Sequence, residues 1–70
     1  MNFTDSLTRR EREVTREVTV GKTNREIAGT LFISVNTVQT HISSILKKTG
    51  MESRTQLAIL TIQNNLLENH

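Results

Sequence analysis

The 70 residues include no cysteine. That absence excludes disulfides and any zinc site built on thiolates. No apolar run approaches the roughly 18 residues that a membrane-spanning helix needs. The first residues also lack the apolar stretch of a secretion signal, so a soluble, cytoplasmic protein with no membrane partner is expected. Charge of one sign is scarce too: nine Lys and Arg stand against seven Asp and Glu, a net charge of +2. Such a balance permits nucleic-acid binding without pointing to it. There is no Cys nucleophile, no His at a useful helical offset from a carboxylate and no glycine-rich phosphate loop. An enzyme is therefore the weakest function class, and no catalytic residue, cofactor or metal ligand is assigned. His41 lies between Val38 and Ile45 on an apolar side, which fits a hydrogen-bonded core histidine better than a ligand or a base. Repeats, low-complexity segments and interior linkers are also missing. Seventy residues make one small domain with a limited core.

What is present is organised around residues 23–43. Thr23 followed three residues later by Glu26 is a capping box, in which hydroxyl and carboxylate each satisfy an orphan backbone donor. Ile27, Ala28 and Leu31 then repeat at helical spacing. Within that helix Gly29, beside Ala28, suggests a close helix crossing. After Phe32 and Ile33, Ser34 can cap a second helix, with Ile33 and Val38 placed for a hydrophobic staple. On a helical wheel Asn36, Gln39, Thr40, Ser43 and Lys47 share one face. Val35, Val38, His41, Ile42, Ile45, Leu46 and Thr49 share the other. A face of short amides and hydroxyls suits the donors and acceptors of base edges in a major groove. A merely solvated face is usually richer in Glu and Lys, the better helix formers.

The flanking segments read as two more helices. Thr8 and Glu11 form a second capping box, opening a helix that Gly21 stops. Its inward stripe is thin, with Val14 and Val18 preceded by Leu7, and its run of charges reads as a solvated face on which Arg9 and Glu13 can pair. Lys47 and Lys48 fall in the last turn of the third helix, where they favour the helix dipole and can reach phosphates. Gly50 ends it, with Met51 placed to fold back toward Leu46. Ser53 and Gln56 look like a third capping box, and the helix they open is apolar almost all round at Leu57, Ala58, Ile59, Leu60 and Ile62. One helix of a small domain cannot bury every face, which leaves either an intramolecular core with one exposed Leu or, the reading preferred, a dimer interface through Ile59 or Leu60 with Leu66 or Leu67. The fold expected is all-α, with helices at about 8–20, 24–31, 35–49 and 54–64. Residues 1–6 are expected to fray, and residues 68–70 to form a tail.

Leu7 to Val14, Asn24 to Ala28, Ile33-Ser34, Thr37-Val38, His41, Ile45, Lys48, Ser53 to Gln56 and Ile62 to Asn64 follow one another in a spaced order. Together these elements resemble the LuxR-type (GerE-like) helix-turn-helix domain of bacterial transcription regulators. The resemblance covers roughly residues 5–67, the domain itself is expected at 7–67, and the helix-turn-helix proper at about 24–43. It implies sequence-specific binding of double-stranded DNA, pairing through the fourth helix, and regulation together with RNA polymerase or a regulatory domain outside this chain. Asn36, Gln39, Thr40 and Ser43 are the candidate base readers. Lys22, Thr23, Asn24, Arg25, Lys47 and Lys48 are the candidate phosphate contacts. Thr15 and Glu17 depart from the family's apolar pattern, so Glu17 must reach water or find a partner. Gln39 stands where the family usually has Lys or Arg, which shifts the expected preference from guanine toward adenine. Two alternatives stay open: a promoter-reading domain like that of sigma factors, and a protein-interaction module that has lost DNA.

Overall fold

A computed structural model describes residues 3–64. It contains four α-helices in the expected order: α1 at Arg9–Val20, α2 at Asn24–Leu31, α3 at Val35–Thr49 and α4 at Arg54–Asn64. No strand occurs among the described residues. The helix ends follow from the caps. Thr8 and Thr23 each accept from the backbone N–H three residues on, and the carboxylates of Glu11 and Glu26 each accept from the cap's own N–H at 2.8 Å. Gly21, at φ 95°, closes α1 in a Schellman motif, with Gly21 N bonded to Val18 O and Lys22 N to Glu17 O. Helix α2 closes the same way, Ile33 N reaching Ala28 O at 3.1 Å, but there the left-handed residue is Phe32, at φ 59°.

Helix α1 packs against both α3 and α4, and α2 packs against α3. The core is Leu7, Val14 and Val18 from the first segment, Ile27 and Ala28 from α2, Val38, Ile42 and Ile45 from α3, and Leu57 from α4. Thr15 is fully buried with them, and its hydroxyl donates to Glu11 O at 2.8 Å, which offsets the cost of burying it. Thr61 is also buried, but its hydroxyl has no hydrogen-bond partner among the described residues.

Several expectations need correction. Residues 3–6 form a short 3-10 turn that packs against α3, with Thr4 fully buried and accepting from Leu7 N, so fraying does not describe them. Glu13 pairs with Arg10 at 3.1 Å instead of Arg9. Gly29 is exposed, and a Cβ there would meet nothing within 4 Å, so it serves no close crossing. The third capping box is incomplete: Gln56 N donates to Ser53 Oγ, but the Gln56 side chain accepts from Glu52 N, one residue further back. His41 is only half-buried and makes no hydrogen bond among the described residues. No helix of the described residues is long and apolar enough to cross a membrane.

Candidate nucleic-acid interface

Ser34 sets the start of α3. Its hydroxyl accepts from Thr37 N at 3.0 Å and shares a further hydrogen bond with Thr37 Oγ1 at 2.8 Å. With that turn held, Val38, Ile42 and Ile45 point into the core, while Asn36, Gln39, Thr40, Ser43 and Lys47 are all exposed. The polar face drawn from the wheel is thus a continuous solvent-facing strip. Two details change its chemistry. Thr40 Oγ1 donates to Asn36 O at 3.0 Å, so its proton is used inside the helix and the oxygen keeps only acceptor capacity. Val35, assigned by periodicity to the apolar side, is 42 % exposed, because it opens the helix beyond the edge of the core.

The start of α2 is held from a distance by Arg54. One guanidinium nitrogen donates to Asn24 Oδ1 and another to Lys22 O at 2.9 Å. Arg54, at the start of α4, therefore fixes the loop that leads into the helix-turn-helix. The candidate phosphate contacts here differ in how far they are committed. Lys22 Nζ pairs with Glu17 at 2.6 Å and donates to Thr30 Oγ1 at 3.3 Å, so Glu17 has found the partner it requires. The Thr23 hydroxyl serves the cap and the Asn24 side-chain oxygen Oδ1 accepts from Arg54. Arg25 is exposed and has no ion pair among the described residues.

The two lysines that end α3 separate in the same way. Lys47 is exposed without an ion pair among the described residues. Lys48 is held by Glu11: Nζ lies 2.8 Å from Oε1, which also accepts from Thr8 N, while Oε2 accepts from Ser44 Oγ at 2.8 Å. The Glu11 side chain is 5 % exposed. Burial pushes its carboxyl upward, but the hydrogen bonds from Lys48, Thr8 N and Ser44, with the Lys48 charge, outweigh that and hold it at about 2 instead of 4.5. Lys48, expected among the phosphate contacts, is exposed at the surface but paired with Glu11, and Glu11 is a buried bridge between α1 and α3 instead of part of a solvated face.

Neither Glu11 nor Arg54 was singled out by sequence for these roles. A signal for Glu11 existed, since Leu7, Glu11, Val14 and Val18 recur at helical spacing and place it on the inward stripe. Nothing local marks Arg54, whose partners lie 30 and 32 residues away. On α4, Ile59 is 49 % and Ile62 57 % exposed, whereas Leu60 is half-buried. Leu66 and Leu67 lie outside the described residues.

Residues 5–61 match the family described as bacterial regulatory proteins, luxR family. Among curated proteins, the chain is 50 % identical over 60 residues to an uncharacterized transcriptional regulatory protein, YhcZ, of Bacillus subtilis, covering 86 % of this chain and 28 % of that one. It is 46 % identical over 63 residues to the transcriptional regulatory protein LiaR of the same organism, covering 90 % and 30 %. It is 41 % identical over 64 residues to the response regulator protein VraR of Staphylococcus aureus, covering 91 % and 31 %. The chain spans less than a third of the length of each of these relatives.

Proposed function

The chain belongs to the luxR family of bacterial regulatory proteins, and from that premise we propose that it binds double-stranded DNA sequence-specifically to regulate transcription. One observation carries the reading: the outward strip of α3 (Asn36, Gln39, Thr40, Ser43, Lys47) contains no acid and no large apolar group, and lies opposite the buried Val38, Ile42 and Ile45. In this docking α3 enters the major groove and those amides and hydroxyls meet base edges. The start of α2, with Arg25 exposed beside it, faces a phosphate. Two copies pair through α4, where Ile59 and Ile62 leave apolar surface in water, and half-sites then lie about one helical turn apart. RNA polymerase and a regulatory domain are the further partners of this reading, consistent with relatives named as regulators and several times longer.

Selection from a random duplex library, followed by titration of variants, tests the proposal. Gln39→Ala or Thr40→Ala is expected to cost about 1–3 kcal/mol at one base position and to relax preference there. If both variants bind the selected duplex as the parent does, α3 is not the reading element.

A further inference from the structure

We infer that Val35 is a specificity-determining residue of this surface and reads the 5-methyl group of a thymine. The inference rests on the DNA-binding reading above and deepens it. Periodicity groups Val35 with Val38 and Ile42, yet Val38 is fully buried and Val35 is 42 % exposed. Val35 therefore carries a branched aliphatic side chain, a mediocre helix former, of which the core leaves about two-fifths in water. Its neighbours define what it can meet. Asn36 follows it directly and Gln39 stands one helical turn later, both exposed. Side chains on a helix lean toward its N-terminus, which brings the Gln39 carboxamide over the level of Val35.

The pairing of an amide with an aliphatic group suits one kind of base pair. Gln hydrogen-bonds adenine at N6 and N7, and the thymine of an A·T pair presents its methyl group at the same groove edge. An amide alone also tolerates other donor–acceptor edges; a methyl contact one turn away adds discrimination that no hydrogen bond supplies. Thr40 is exposed next in sequence to Gln39, and its hydroxyl proton is used on Asn36 O, so it adds no free donor to compete with the amide. Gln39 thus shares its side of the helix with the aliphatic group of Val35 one turn earlier, a pairing suited to an A·T pair.

The test uses the full 70-residue chain and the duplex it selects from a random library, with each thymine replaced singly by deoxyuridine to delete only the methyl group. The parent is expected to lose about fourfold in affinity at one thymine per half-site, the worth of one buried methyl group. Val35→Ala should bind the thymine duplex more weakly and be indifferent to that replacement. Val35→Ile, which keeps the aliphatic contact, should retain the dependence, as should Phe32→Ala, which removes the other exposed apolar group near the turn. Indifference of the parent to every replacement, or an undiminished fourfold loss in Val35→Ala, overturns the inference while leaving DNA binding intact. Failure to select any duplex sinks the DNA reading itself, and the role of Val35 with it.

Discussion

Replacing Glu11 by Gln removes a charge that the fold both buries and satisfies. The Glu11 carboxyl is moved from 4.5 to about 2, and at 1.36 kcal/mol per pKa unit that is about 3 kcal/mol in favour of the charged, folded form. Glu11 is 5 % exposed but its partner Lys48 is 36 % exposed, so solvent screening makes this figure an upper bound. For a domain of this size, 3 kcal/mol is a large share of the total stability. The direction with pH follows from the sign of the shift. The folded-state value is depressed, so the contribution is fully present above about pH 4.5 and disappears as pH falls toward 2. Urea unfolding of the parent and of Glu11→Gln, followed by far-UV circular dichroism from pH 7 down to 2, isolates the effect, because the other carboxylates cancel in the difference. The parent is expected to be more stable by at most about 3 kcal/mol at pH 7, with the two curves converging below pH 4.5. A difference that stays constant with pH would show that Glu11 acts by packing alone and that its bridge to Lys48 adds no stability.

Gly29→Ala should stabilise the domain by about 1 kcal/mol, since the site is helical and open, and chemical denaturation would reveal it. Thr61→Val replaces a buried hydroxyl that has no partner among the described residues with a methyl group of the same shape, and should raise stability by about 1–2 kcal/mol in the same assay. In salt titrations of DNA affinity, Lys47→Ala should lower the slope by about 0.9, whereas Lys48→Ala should leave the slope nearly unchanged and lower the unfolding midpoint instead. Arg54→Ala should cost about 1.5–3 kcal/mol of stability through its two lost hydrogen bonds. It should also increase amide exchange at Lys22 to Arg25.

Local chemistry made the helix boundaries legible. A Thr followed by Glu three residues on, or a Gly after the last apolar position, needs no knowledge of the rest of the chain, and α1 and α2 begin and α1 and α3 end where those signals stand. Periodicity likewise found Val38, Ile42 and Ile45, because the middle of α3 is covered along its whole inward face. It failed at Val35 because a wheel has no record of where the covering helices stop. It failed differently at Glu11, where a correct local role concealed a second one: the carboxylate oxygen that completes the α1 cap also receives Lys48, 37 residues away. Gly29 shows the converse error, a glycine credited with a packing role in a place where nothing packs.

These misses share a physical cause with consequences for the site. Which cations face outward is decided by which ones the fold has already paired with an acid, and those pairings span 5 and 37 residues for Lys22 and Lys48. Counting Lys and Arg near the helix-turn-helix therefore overstates the charge available to a phosphate backbone. With Lys22 and Lys48 committed, Arg25 and Lys47 remain, and each released counterion contributes about 0.9 to the salt slope. The proposed docking thus calls for a slope of only about 2 per copy, and puts most of its discrimination in the uncharged strip from Val35 to Ser43. A measured slope near 4 per copy would mean that Lys22 and Lys48 leave their acidic partners when DNA arrives, and that the Glu11 bridge opens on binding.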